Sequence, residues 1–287
     1  MLHKTHCIIH LHYFIITQVF TSFLLTESLN RFHHMKSKAR SRRRSLRKSD
    51  LPVRSFFIKS WHWEFLIILA ALVCDLNSWG HQFVYDDAPY IVDNTFLHEP
   101  RNILRIFTSP LVPFSGTIGR GLYRPFTALT YAVNYWISGP NPDSFHLMNR
   151  LLHIITCLGI FWALQRLLSR ESHIPLFTTL LFAVHPIQTE AITYIAGRAD
   201  ALAMLFFVLA WLSFMRARQS PSASIKIRLL SVLFYLLALL SKESAITWLG
   251  VAFVTEFLYF SAGRLKNLLQ NLKQHFLKIY ALYFLVT

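Results

Sequence analysis

The chain has 287 residues, 54% hydrophobic and 15% charged, with 25 phenylalanines and a formal net charge of +15. That much apolar surface exceeds what one soluble core of this length can hide, so a bilayer must cover part of it. The basic residues fall between long apolar runs and form no face interleaved with exposed aromatics, which argues against nucleic acid as a partner.

Taken in order, the first apolar stretch is 8–25. It is interrupted by His10 and His12, lacks a small-residue cleavage site and runs into charge, so it reads as an extra anchor or as the product of an upstream start. The run KSKARSRRRSLRK at 36–48 predicts a disordered segment that sets orientation and is attracted to anionic lipid. Residues 1–60 are therefore set apart from a membrane domain over 61–287.

A bilayer core takes about 20 helical residues. Runs of that order predict spans at 61–78, 145–166, 173–189, 199–215, 228–241 and 244–260, with a seventh beginning near 276. The predicted fold class is all-α: a polytopic transmembrane helix bundle of six to seven spans. Every second connection is basic: 36–48, then Arg166 and Arg170, then Arg216, Arg218, Lys226 and Arg228, then Arg264, Lys266, Lys273 and Lys278. Those connections mark the cytoplasmic side. The outer loop 79–123, HPIQTEAITYIAGRAD and LLSKES then share the opposite face. Cys7, Cys74 and Cys157 form no CxxC pair and no even-numbered framework, so no disulfide is expected.

Within the outer loop, GHQFVYDDAPYIVDN is followed by TFLHEPRNILRIFTSPLV, where the spacing of Ile103, Ile106 and Phe107 predicts amphipathic helices lying on the membrane surface. The pair Asp86-Asp87 follows Phe83-Val84-Tyr85 at the bilayer edge, where partial desolvation raises a carboxyl pKa toward that of a useful base. The structural alternative is capping, since Asp-Asp-Ala-Pro resembles a helix start. Two further outer clusters carry charge at span ends: Glu190, Arg198 and Asp200 in one, Lys242 and Glu243 in the other. A Lys-Glu step there is equally compatible with a turn holding an internal ion pair. Jointly, carboxylates and cations on one face suit a reaction that deprotonates a hydroxyl and releases a phosphate. His146 and His153, seven apart, share a helix face but have no evident third partner, so packing or hydrogen bonding is expected and no metal site.

Four runs, FVYDDAPYIVDN, GLYRPFTALTYAVNYWISGPNPDSFHLMNRLLHIITCL, FAVHPIQTEAITYIAGRADALAMLFF and LLSKESAITWLGV, resemble the membrane portion of the transmembrane and tetratricopeptide-repeat O-mannosyltransferases and their bacterial relatives. The resemblance covers roughly 80–262. It implies a GT-C-like glycosyltransferase that moves a sugar, mannose in that family, from a polyprenyl-phosphate donor to a protein hydroxyl by inverting displacement outside the cytoplasm. It implies Asp86 or Asp87 as the base, the other orienting substrate or a divalent cation. Glu190, Arg198 and Asp200 would line the same cavity. Arg198, Lys242 and Arg124 would stabilise the departing phosphate, Arg through a fork and Lys as a point charge. The 34-residue repeat of the family is not found, so the chain reads as that family's membrane part, incomplete at its C-terminal end. The endoplasmic reticulum membrane and the bacterial inner membrane both satisfy the topology. Competing readings are a membrane scaffold and an ion-coupled transporter. The transporter is disfavoured because the charges sit at span ends on one side, not at mid-span in broken, repeated helices.

Overall fold

The computed structural model describes residues 61–74, 76–112, 122–168, 172–219, 225–275 and 280–287. The apolar stretch 8–25 and the basic run 36–48 lie outside them. The described residues fall into two units, Trp61–Trp248 with Val286–Thr287, and Leu249–Leu285.

Among its described residues the first unit holds six helices longer than ten residues: α1 (Trp61–Cys74), α2 (Pro125–Ser138), α3 (Pro142–Leu167), α4 (Ile174–Val184), α5 (Arg198–Gln219) and α6 (Ile225–Ser241). Proline opens α2 and α3 at the first helical position and lies second in α4, where its missing N–H goes unneeded. Among the described residues no strand occurs, so the fold is all-α. Among the described residues, Pro142–Leu167 and Ile195–Gln219 are long and apolar enough to cross a membrane, with a third such element if one bent pair counts as a span. The remaining predicted spans are also helical but shorter, 14 residues for α1, 11 for α4 and 17 for α6. The second unit contains α7 (Trp248–Thr255, its first residue lying in the first unit), α8 (Leu265–His275) and α9 (Ala281–Val286, its last residue lying in the first unit).

Helix α3 packs against α1 and α4 on one side and α5 on the other, and α5 packs on α6. Small residues permit the close approaches: a Cβ on Gly159 of α3 would come within 2.9 Å of Val208 Cγ1 on α5. Ala199, Ala203, Ala210 and Ala217 add a buried small-residue face to α5.

The outer loop builds its own apolar cluster. Ile91, Phe96, Leu97, Ile106 and Leu111 pack against Ala128, Tyr131 and Ala132 of α2, Phe145 of α3 and Ile195. The predicted amphipathic helices are single turns, Thr95–His98, Pro100–Asn102 and Arg105–Thr108. Pro100 cannot donate into a continuing helix, and Asn102 Nδ2 donates back to the Phe96 carbonyl at 3.0 Å. Of the three spaced residues only Ile106 is buried, with Ile103 and Phe107 left at the surface. Asn94 Nδ2 donates to Leu111 O at 2.9 Å and Trp136 Nε1 to Leu97 O at 3.0 Å, tying loop to loop and loop to α2.

Arg198, 0% exposed at the start of α5, joins three elements. Its Nε donates to Asn149 Oδ1 at 2.8 Å, Nη2 to Asn134 Oδ1 at 2.9 Å and to Phe145 O at 3.1 Å, and Nη1 to Thr130 O at 3.2 Å. The guanidinium also lies over the rings of Tyr131 and Phe145, 4.9 and 5.1 Å from their centroids. A lysine offers a point charge and cannot reach four acceptors in this planar arrangement. Arg198→Lys should therefore cost about 3 kcal/mol through acceptors left unpaired, and Gly159→Leu about 2 kcal/mol through overpacking. Thermal unfolding of the detergent-solubilised protein, followed by size-exclusion, checks both; an unchanged midpoint for Arg198→Lys would remove the clamp from this account.

Candidate functional site

The aspartate pair divides its labour. Asp87 is 1% exposed and Asp86 is exposed. Asp87 stands where a helix cap would, before the Ala88–Val92 turn, but makes no capping bond to it. Its Oδ2 accepts from Val84 N at 2.9 Å and its Oδ1 from Ala196 N at 2.7 Å. The capping alternative thus gives way to a bridge between the first outer loop and the turn that opens α5. Burial pushes the Asp87 carboxyl up from 3.8 to about 6, with Asp86 adding to the rise, while the two amides and Arg198 pull the other way.

That turn is built for close approach. A Cβ on Gly197 would overlap the Glu190 carbonyl oxygen and lie 3.0 Å from Ala191 Cα, so only glycine fits. Asn149 Nδ2 lies 3.3 Å from each of the Ile192, Tyr194 and Ile195 carbonyls, and Tyr131 Oη donates to Ala196 O at 3.2 Å. The turn in consequence presents Tyr194, whose hydroxyl accepts from Asp86 N at 3.2 Å. Burial, then the nearby Asp86 charge, holds the Tyr194 phenol well above its ordinary range, so it stays protonated.

Two ion pairs brace the same face. Lys242, 6% exposed, donates to both carboxylate oxygens of Asp200 at 2.6 and 2.7 Å. Arg124 forks onto Glu243, Nη2 to Oε1 at 2.6 Å and Nε to Oε2 at 3.0 Å. Lys242 and Glu243 therefore pair across the fold, and the internal Lys-Glu pair is not formed. The arrangement follows from Thr127 Oγ1, which donates to Ser241 O at 2.9 Å and fixes the end of α6 beside the start of α2. Burial would lower the Arg124 pKa, but the bonded Glu243 carboxylate raises it overall; burial would raise Glu243, and Arg124 holds it below its ordinary value. Tyr90 links the groups: burial and then Asp86 raise its phenol, Arg124 opposes, and Glu243 adds to the rise.

The sequence-predicted residues separate into three sets. Asp86, Arg124, Asp200, Lys242 and Glu243 share one electrostatic neighbourhood through Tyr90 and Arg124. Asp87 and Arg198 lie beneath it, and the guanidinium of Arg198 is turned wholly to protein acceptors. Glu190 is exposed on the turn Thr189–Ile192, where its carbonyl, not its carboxylate, meets Gly197. His146 Nε2 faces the His81 carbonyl at 3.2 Å and His153 Nε2 the Ala183 carbonyl at 3.2 Å. Among the described residues no three His, Cys, Asp or Glu side chains gather to hold a metal. Residue-by-residue reading passed over Tyr90, Tyr194, Asn134 and Asn149, because lone tyrosines and asparagines carry no spacing signal. All four nevertheless lie inside the runs that carried the resemblance.

No protein-family model matches the chain, and no solved structure matches it. Several curated proteins do. The chain is 35% identical over 194 residues to protein O-mannosyl-transferase TMTC3 of Homo sapiens, covering 67% of this chain and 21% of that protein. It is 34% identical over 224 residues to TMTC1 of Mus musculus, covering 72% of this chain and 23% of that protein. With TMTC4 of Homo sapiens it shares 33% identity over 230 residues, 73% of this chain and 31% of that protein. The chain thus spans less than a third of the length of these relatives. With its all-helical, strongly apolar bundle, the chain belongs, over that matched part, to the family of the TMTC protein O-mannosyl-transferases.

Proposed function

We propose that this membrane protein is a protein O-mannosyltransferase of the GT-C type, working on the non-cytoplasmic face of the endoplasmic reticulum or a bacterial inner membrane. The observation that carries the reading is the pairing of an exposed Asp86 with a buried, amide-held Asp87, beside the Arg124–Glu243 and Lys242–Asp200 pairs. The donor is a polyprenyl-phosphate mannose and the acceptor a protein hydroxyl.

Asp86 is the base. Its carboxylate takes the acceptor's proton as the acceptor oxygen bonds to the anomeric carbon from the face opposite the phosphate. The carbon–oxygen bond to phosphate breaks, and the lipid phosphate leaves with the electron pair. Tyr194, held protonated, orients Asp86. Asp87 is a positioning residue that fixes the outer loop on the α5 turn. Arg124 is the group that meets the phosphate: its fork fits phosphate as well as carboxylate, and its present partner Glu243, 66% exposed at the side chain, gives way to the phosphate when the donor binds. Lys242, closed onto Asp200, supports the charge from behind. Arg198 serves as the clamp beneath.

Transfer of radiolabelled mannose from polyprenyl-phosphate mannose, in membranes expressing the protein, tests the assignment. Asp86→Asn should lower the rate by about 10³-fold, the scale of a general base; Asp87→Asn should lower it by about 10-fold and leave measurable transfer. Full activity in Asp86→Asn would remove it as the base, and no transfer from any donor would favour the scaffold or the transporter.

The pH dependence carries a second test. A carboxyl whose folded pKa is raised binds its proton more tightly in the folded state. Its contribution to stability is complete below 3.8 and is lost as pH rises through about 6. The thermal midpoint should accordingly fall between pH 4 and pH 7, and Asp87→Asn should flatten that fall. An identical pH profile in the variant would show that Asp87 does not titrate in this window.

A further inference from the structure

The second unit holds a feature that the outer-face site does not use. After the π-helical turn Glu256–Phe260 the backbone reverses through Ala262 and Gly263, at φ 52° and 67°, and the helix beginning at Leu265 leaves at 117° to the preceding run. Ser261 fixes the corner: Asn271 Nδ2 donates to its Oγ at 3.0 Å and Asn267 Nδ2 to its carbonyl at 3.3 Å. These asparagines, four apart, mark the side of α8 that faces the chain.

The leucines lie elsewhere on the helix. Leu265, Leu268, Leu269 and Leu272 recur at the spacing of one continuous apolar face. Leu268, nearest the asparagines, is buried, whereas Leu265 and Leu269 are 64% and 59% exposed. Lys266 and Lys273, seven apart, border the exposed leucines on the flank away from the asparagines. Arg264 precedes the helix, and no acidic residue occurs anywhere in 261–287. At 11 residues the helix is about 16 Å long, too short to cross a bilayer. Two exposed leucines also offer far less area than the roughly 800 Å² per side of a stable protein interface.

We propose that α8 is an interfacial anchor on the cytoplasmic leaflet, its leucines in the acyl boundary and Lys266 and Lys273 on anionic lipid headgroups. The sharp corner turns the chain from the direction of the apolar run into the membrane plane. The lysines at the border of the leucine face extend their stems along it and hold their ammonium groups at headgroup level. The basic connection falls on the side where anionic lipid is concentrated.

The intact protein in nanodiscs of phosphatidylcholine, with and without phosphatidylserine, tests this. Nitroxide labels are placed through Leu265→Cys, Leu269→Cys and Gln270→Cys, the unsubstituted protein serving as the labelling blank. Labels at 265 and 269 should collide with oxygen in preference to a water-soluble nickel chelate, and the label at 270 should show the reverse. Phosphatidylserine should deepen the first two, and Lys266→Gln and Lys273→Gln together should abolish that gain while elution stays unchanged. Labels at 265 and 269 shielded from both reagents would mean a protein partner. Labels open to the chelate all round the helix, or indifferent to lipid charge, would equally overturn the anchor.

Discussion

Asp87 connects two stretches of chain 109 residues apart through backbone amides alone, and the outer face depends on that connection. A buried carboxylate in an apolar setting is unfavourable unless its oxygens are satisfied. Here each oxygen accepts one amide, from Val84 and from Ala196, and the Arg198 charge below supplies attraction without direct contact. The amide of Ala196 is available because Gly197 lets the turn close on the Glu190 carbonyl. Loss of any one of these leaves the others exposed to the cost of an unpaired buried group.

Arg198 and Asp87 are therefore opposite ends of one arrangement. The guanidinium holds α2 and α3 to α5 through Asn134, Thr130, Asn149 and Phe145, and Asn149 returns to the turn whose amide reaches Asp87. Above this rigid layer sit groups of a different character: Asp86 and Glu243 are exposed, and Asp200 is only partly covered. A base needs its neighbours fixed and its own carboxylate reachable. Under the proposed assignment, Asp87 would fix the loop while Asp86 stays reachable.

The helical class was legible, and helices stand in the predicted spans at 61–78, 145–166, 173–189, 199–215, 228–241 and 244–260, because apolar runs bounded by charge survive any tertiary arrangement. The alternation of basic connections led to the expectation that Asp86, Asp200, Lys242 and Glu243 share the outer face, and the structure pairs Lys242 with Asp200. Partner choice was not. Lys242 and Glu243 are adjacent, and nothing local says that each pairs with a residue 42 or 119 positions away. The outer loop misled in another way: Ile103, Ile106 and Phe107 have helical spacing, but Pro100 and the Asn102 side chain close single turns instead. The resemblance implied that Arg198 meets the departing phosphate. It is used, but by four protein acceptors.

The run Gly197–Asp200 shows why a short motif resists reading as one function. Gly197 is required by a backbone contact, Arg198 by acceptors on two other helices, and Asp200 by Lys242 at the end of α6. Ala199, buried at 3%, fills the space between them. The four residues share a turn, so one displacement misplaces all three constraints together. The dependence also runs outward: Asp200 fixes Lys242, the residue before Glu243, and Glu243 occupies the Arg124 fork. A change at Gly197 thus reaches the phosphate end of the proposed site through covalent neighbours and two ion pairs, with no need for contact with either substrate. On this view the motif belongs to the scaffold of the proposed reaction, and the exposed Asp86 and the Arg124 fork that Glu243 now fills are the groups left to meet acceptor and donor.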